Sequence, residues 1–398
     1  MKHLFDSIPD QTFAIGPVEC KKTLTEIFDK AEKVVLFTGR HSADTCGAAQ
    51  FVTEIAEESA VELFRWKDIP PEPDIKTVSA MRDFLLECGA DTVCAAGGGS
   101  VLDAAKAALL LVETQWDIND LFGVNSFSSA NPGRKLRRII AIPTTSGTGS
   151  EATQYANIVD RENNVKRLIA EKETVPEYAL LNSSFTESMP DSVTLATACD
   201  ALSHLLEGFL NTRADSTSGS ANYRAIAGIR AIVENLPLIL KDSSNTKARE
   251  ALSLAAALGG SVIRFKSTGL PHLCSFSWFG RIEHGMAVAM LLPAAWQYYL
   301  GNPDVCSRTM ELAQIFQGNT PEEVINSYKV FLKNIGVPPS LAAYPHLTPA
   351  LMAQTAKSAG ANKMKLELAP RPVPLDESEK ILSDILTKAY KGDGMINN

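Results

Sequence analysis

The chain has 398 residues, of which 45% are hydrophobic and 21% charged, with a formal net charge of −8. That length exceeds what one hydrophobic core serves, so two domains are expected, and the composition excludes collagenous, coiled-coil and disordered classes. The acidic balance, with no basic run longer than Arg134-Lys135-Leu136-Arg137-Arg138, excludes a nucleic-acid-binding surface, and the seven scattered cysteines without CxxC spacing exclude a disulfide framework or thiolate zinc site.

Met1–Gly16 does not read as a secretory leader and no run reaches membrane-spanning length, so a cytoplasmic protein with no membrane partner is expected. From about Lys33 the chain alternates short β-branched runs with amphipathic stretches. Val34–Phe37 reads as a strand, 43–58 as a helix and Val61–Phe64 as a strand. A proline-rich connector at Ile69–Pro73 leads to a helix at 75–88, a strand at Thr92–Ala96, a helix at 101–112 and a strand at Arg138–Ile142. This is the pattern of a parallel, Rossmann-like sheet flanked by helices. After about residue 185 helical periodicity takes over, in 192–212, 216–234, 246–264, 284–299, 304–316, 320–335, 348–358 and 375–391. The expected division is therefore an α/β nucleotide-binding domain at 1–184 and an all-helical metal- and substrate-binding domain at 185–398.

Two segments carry the nucleotide expectation. The strand at Thr92–Ala96 runs into Gly97, Gly98, Gly99 and Ser100, which open the following helix. Backbone N–H groups and a positive helix end suit a pyrophosphate, and three glycines exceed what a tight turn needs. The spacing is not that of the GxGxxG fingerprint. After the strand at Ile139–Ile142 comes Pro143-Thr144-Thr145-Ser146-Gly147-Thr148-Gly149-Ser150-Glu151, which sets hydroxyls and glycines at the carboxyl end of a strand, where open α/β sheets bind ligands.

The metal expectation begins with Asp200 and His204, one turn apart on one helix face. Such a pair is by itself more often a surface contact. Only six histidines exist, however, and His272 and His284 also lie in the helical half. One carboxylate and three imidazoles form a mixed set that divalent iron or zinc accepts.

At these residues the sequence resembles the iron-containing (group III) alcohol dehydrogenase family, whose fold is related to dehydroquinate synthase. The resemblance runs in order through Gly97–Lys106, Pro143–Glu151, Asp200–Glu207 and His284–Ala289. It implies a divalent metal on Asp200, His204, His272 and His284, which act in catalysis through that metal. It also implies cofactor contacts at Gly97, Gly98, Gly99, Ser100, Asp103, Thr144, Thr145 and Thr148, with Lys166 added to that set, and a homodimer. The sequence departs from the family at Phe276, where many members carry a histidine, and in the somewhat short segment from His272 to His284. Ala198-Cys199 also replaces a commoner glycine-hydrophobe pair.

After the first strand Gly39, Arg40 and Ser42 stand where NAD-specific members often place an acid, which favours NADP(H) over NAD(H). The expected reaction is hydride transfer between nicotinamide and a small aldehyde or primary alcohol whose oxygen is polarised by the ion, ferrous iron ahead of zinc. Ile263, Phe276, Arg264 and Arg281 are the expected substrate neighbours, and the arginines, with Lys266 nearby, suggest an anionic aldehyde such as a phosphonate, sulfonate or carboxylate semialdehyde. The competing readings are a glycerol dehydrogenase or dehydroquinate synthase type of enzyme and a catalytically silent nucleotide-binding protein.

Overall fold

The structure is a computed structural model that describes residues 1–163, 165–212 and 218–392. Contacts divide the chain into two compact units. The first is Met1–Pro190 with Ser244–Gly260; the second is Asp191–Ser243 with the chain from Ser261 onward. A single cut at 184/185 therefore does not describe the packing, because a piece of the helical half joins the first unit.

Among its described residues the first unit has nine strands: β1 (Thr12–Ile15), β2 (Lys33–Gly39), β3 (Glu62–Ile69), β4 (Thr92–Gly97), β5 (Gly123–Val124), β6 (Arg138–Pro143), β7 (Tyr155–Asp160), β8 (Val165–Ala170) and β9 (Tyr178–Leu181). Six form a sheet in the order β1-β9-β6-β4-β2-β3, every pair parallel; β5, β8 and β7 form a second, small sheet. The helices of this part are α1 (Pro17–Phe28), α2 (Ser42–Thr45), α3 (Ala48–Glu58), α4 (Ile75–Cys88), α5 (Gly99–Val112) and α6 (Ser126–Ala130).

Because side chains alternate along a strand, a sheet covered on both faces buries every residue of its central strands. Val35, Phe37, Val93, Ala95, Ile139 and Ala141 enter one core with α4 and α5. Val34, Leu36, Cys94, Ala96, Ile140 and Ile142 enter the other, with α1 and α3. Each large apolar side chain so buried contributes about 1.5–3 kcal/mol. The expected helix over 43–58 is interrupted: Gly47 is left-handed at φ 80, and α3 starts after it. The short strands β1 and β9 and the β7–β8 hairpin were not expected, being too short or too polar to show a period.

The second unit holds α7 (Asp191–Leu210), α8 (Ser218–Lys241), the end of α9 (Thr246–Phe265), α10 (Leu270–Ser275), α11 (His284–Tyr299), α12 (Pro303–Glu311), α13 (Pro321–Asn334), α14 (Pro349–Gly360), α15 (Lys363–Leu368) and α16 (Ser378–Lys391). Among its described residues there are helices and no strand, as expected. Residues 216 and 217 of the expected 216–234 helix lie outside the described residues. The short α10, announced only by Gly269 and Pro271, was not expected. From Ala198 to Leu210 every residue of α7 is buried, so this helix is the axis of the unit. α11 crosses it closely, since a Cβ on Gly285 would lie 1.8 Å from the Ala196 carbonyl oxygen. No described helix is long and apolar enough to cross a membrane.

Candidate functional site

On a helix as buried as α7, polar side chains need a reason. Asp200, His204 and Glu207 recur at steps of four and three, a polar stripe on one face. The donor atoms of Asp200, His204 and His272 lie within 4.8 Å of one another. The Nε2 atoms of His204, of His272 from α10, and of His284 from the start of α11 each stand 3.6 Å from the same oxygen, Asp200 Oδ1. That is too long for a hydrogen bond. It is near the separation of roughly 3.4 Å between donors arranged tetrahedrally about 2.1 Å from one ion.

Asp200 Oδ1 and His272 Nε2 are moreover buried with no hydrogen-bond partner. Such orphans cost about 1–3 kcal/mol each unless something satisfies them, and a cation among them does so. Burial alone would raise the Asp200 carboxyl, yet His204, His284 and then His272 hold it well below the usual carboxylate range. Burial likewise pulls His272 down, but the Glu207 and Asp200 carboxylates raise it to about 9. A pocket that draws a proton onto an imidazole is short of positive charge. A metal would displace that proton, because it binds the neutral ring.

Glu207, fully buried, was not singled out from the sequence. Its Oε1 meets His272 Nδ1 and its Oε2 accepts from Gly269 N at 2.6 Å. This fixes the proton on Nδ1 and turns Nε2 toward Asp200. Tyr299, on α11, accepts from Leu270 N at 2.7 Å, so the first turn of α10 is tied to both helices that carry the other donors. Ser275 Oγ lies 3.3 Å from His284 Nδ1. The signal available for Glu207 was its place three residues beyond His204, on the face that carries Asp200.

In the first unit the two glycine-rich segments touch. A Cβ on Gly98 would lie 3.2 Å from Thr145 Cγ2, and one on Gly99 only 2.6 Å from Thr148 Cγ2; Thr144 N donates to Gly97 O at 3.0 Å. The glycines thus serve loop-to-loop approach as well as backbone exposure. Thr144 Oγ1 and Ser146 Oγ are buried without a hydrogen-bond partner, which fits hydroxyls waiting for a ligand. Gly39 adjoins the same region: a Cβ there would be 3.7 Å from Ser42 Oγ and 3.8 Å from Val101 Cγ2 in the first turn of α5.

Beneath the loops sits a buried charge cluster. Asp103, expected to contact cofactor, is occupied inside: Oδ1 accepts from Ser150 Oγ at 2.6 Å and Oδ2 from Asn157 N at 2.9 Å. Lys106, which was not expected to matter, donates to the carbonyls of Ser150, Thr153 and Tyr155. Burial lowers this lysine to about 8 against the pull of Asp103 and Glu151, and burial raises Glu151 to about 7.

The remaining expected residues scatter. Lys166 pairs with Glu72 at 2.8 Å, and the Glu72 amide donates to Ser100 Oγ at 3.2 Å, which links Lys166 to the first loop. Arg40 is exposed and faces Asp68 at 3.3 Å. Phe276 stacks on His284, ring centres 5.9 Å apart. Ile263 is buried, Arg264 lies over the Phe265 ring and Arg281 is exposed.

A doubly covered parallel sheet bearing two conjoined glycine-rich loops, followed by a helical unit with a buried cation-deficient donor set, defines a metal-dependent oxidoreductase. The chain belongs to the iron-containing alcohol dehydrogenase family. The profile described as iron-containing alcohol dehydrogenase matches residues 12–183, and that of the family's C-terminal part matches 194–386. Among relatives, alcohol dehydrogenase 4 of Saccharomyces cerevisiae is 30% identical over 84% of this chain and 86% of its own. The probable alcohol dehydrogenase EutG of Escherichia coli is 33% identical over 73% and 72%. A solved iron-containing alcohol dehydrogenase of Thermotoga maritima superposes with a TM-score of 0.80 at 25% identity, over 95% of this chain and 98% of the other. The enzyme is thus an alcohol dehydrogenase of the iron type, using a divalent metal and NAD(P).

Proposed function

We propose that this enzyme interconverts a small aldehyde and its primary alcohol with NADP(H), on a divalent ion, ferrous iron before zinc, held by Asp200, His204, His272 and His284. The observation that carries this reading is the convergence of three imidazole Nε2 atoms, each 3.6 Å from a buried, unsatisfied Asp200 oxygen. When bound, the ion supplies Lewis-acid polarisation of the substrate oxygen and the nicotinamide supplies or takes the hydride. The α/β unit holds the nucleotide through the amides and hydroxyls of Gly97–Ser100 and Thr144–Thr148.

The chain's own side chains do the remaining work. Glu207 keeps the His272 proton on Nδ1, so that Nε2 presents its lone pair. His284 is the partly exposed member of the set, and the open side it leaves is where a substrate oxygen approaches. Phe276, stacked on that ring, offers no proton, which leaves water or the cofactor ribose as the proton source. Gly39 places no acid against a 2′-phosphate, which supports NADP(H).

An anionic aldehyde rests on Arg264 and Arg281 alone, because Lys266 is buried with its ammonium on the Asn211 carbonyl at 3.1 Å. The family resemblance adds a homodimer, which analytical ultracentrifugation tests. The decisive experiment is a panel of neutral and anionic short aldehydes, run with NADH and NADPH on protein reconstituted with ferrous iron or zinc. Metal-dependent NADPH oxidation is expected; none with any aldehyde in either metal form overturns the proposal, and a strong NADH preference removes its NADP(H) part.

A further inference from the structure

The edge of the sheet beside the glycine-rich loops carries an irregularity that the dehydrogenase reading leaves unused. β2 and β3 pair in register up to Phe37↔Trp66, but the next pair is Gly39↔Ile69, so β3 carries one extra residue. Bulges are rare in parallel pairs, and they re-aim side chains next to functional sites. Within this bulge Asp68 has φ 80, a left-handed conformation that a non-glycine residue adopts only under constraint.

Two cations of β3 meet one carboxylate beside this bulge, Lys67 within it and Arg65 just before it, in the regular pair Leu36↔Arg65. Arg65 donates through Nε and Nη2 to the buried Thr38 hydroxyl at 3.3 and 3.1 Å, which locks the guanidinium plane. Its Nη1 meets Asp44 Oδ1 at 2.7 Å, while Lys67 Nζ meets Asp44 Oδ2 at 2.9 Å. One carboxylate therefore stands between two cations, each of its oxygens taken by one of them. Hydrogen bonds from Arg65 and then Lys67 hold that carboxyl at about 2. Nearby Arg40 is turned away, onto Asp68.

We infer that Arg65 and Lys67 form the receptor for the 2′-phosphate of NADP(H), with Asp44 occupying the phosphate's place until the cofactor arrives. The inference rests on the reading of Gly97–Ser100 and Thr144–Thr148 as the nucleotide site, to which Gly39 connects this cluster through the first turn of α5. A phosphate monoester brings more charge and more acceptor oxygens than one carboxylate, and a guanidinium fork matches it in two bonds. Asp44 is partly exposed, so it can swing into water. The uncharged ribose 2′-hydroxyl of NAD(H) has no means of displacing it. Asp44 thereby acts as an internal competitor that lowers affinity for the phosphorylated cofactor alone.

The test is calorimetric titration of the full-length protein with adenosine 2′,5′-bisphosphate and with 5′-AMP, alongside kcat/KM for NADPH and NADH. Arg65→Ala and Lys67→Ala should each reduce the bisphosphate-to-AMP affinity ratio by about tenfold or more, with a parallel fall in the NADPH-to-NADH ratio. Asp44→Asn should raise both ratios severalfold. Because Lys67 lies on a half-exposed bulge, its variant tests the inference even if Arg65→Ala fails to fold. Unchanged ratios in Lys67→Ala and Asp44→Asn overturn the inference while leaving the nucleotide site standing. Absence of 5′-AMP binding in the unaltered protein overturns the nucleotide reading, and the receptor with it.

Discussion

In the α/β unit the candidate binding surface is made by withholding side chains: Gly97–Gly99 leave amides bare, and the second loop can lie against them only because no Cβ intervenes. In the helical unit it is made by crowding side chains, with the Nε2 atoms of His204, His272 and His284, from α7, α10 and α11, each 3.6 Å from Asp200 Oδ1. The difference follows from the ligands. A diphosphate is large and wants many weak, spread donors, whereas a metal ion is small and wants a few strong ones at fixed distance. The first surface should tolerate loss of any one side chain, whereas the second should not; added bulk should harm each through its own ligand.

The contrast breaks most sharply on the donors. His272→Ala or Asp200→Ala should abolish metal retention on dialysis and lower kcat/KM by about a thousandfold or more, since Lewis-acid stabilisation is worth several kcal/mol. Binding of 5′-AMP should persist. A variant that keeps its metal would show that these residues are not the donors.

Added bulk gives the mirror experiment. Gly149 is left-handed at φ 61, and its Cβ would lie 2.5 Å from the Gly260 Cα. Gly149→Ala should cost about 3 kcal/mol, read by urea unfolding, and weaken nucleotide binding. Gly285→Ala, pressed on the Ala196 carbonyl, should cost a similar ~3 kcal/mol but weaken metal retention instead. If both variants lost the same ligand, the comparison would fail.

A subtler effect comes from Lys106. Its folded pKa of about 8 lies below the roughly 10.4 of an unfolded lysine. Between those values the unfolded chain binds more protons, so this residue's contribution to stability rises with pH. Below pH 8 both states are protonated and the contribution is constant. The stability of the unaltered protein relative to Lys106→Met should therefore climb from pH 8 toward 10; a flat difference would mean the charge is not buried. The smallest effect belongs to Phe276→His. It should add a new ionisation to the pH–rate profile while changing kcat by less than the roughly hundredfold typical of acid–base catalysis, because water or the cofactor ribose can already deliver the proton. An unchanged profile would exclude the position from proton delivery.

The doubly wound sheet was legible from the β-branched runs at Val34–Phe37, Thr92–Ala96 and Arg138–Ile142, because buried parallel strands are apolar throughout. The β7–β8 hairpin was not, since Lys166 and Arg167 break its alternation. Asp200 and His204 were visible through helical spacing. Glu207 and Lys106 stood in the same motifs, but their roles depend on partners 65 and more than 40 residues away, Glu207 on His272 and Lys106 on Ser150, and no local pattern records such contacts. Lys67 was hidden for another reason, since a register shift between two strands is a property of the pair, absent from either sequence alone, and Arg65 depends on Thr38 and Asp44, more than 20 residues away.

The contact of Gly149 with Gly260 has a bearing on synthesis. The ribosome delivers residues in order, and domains generally fold as they emerge. The sheet strands and the loop at Thr144–Glu151 leave the tunnel early, yet the backbone that closes over Gly149 belongs to Ser244–Gly260, translated after Asp200, His204 and Glu207. The nascent α/β unit must therefore wait with its second loop uncovered until more than half of the chain is made, and α7 and α8 of the helical unit are synthesised before it can be completed.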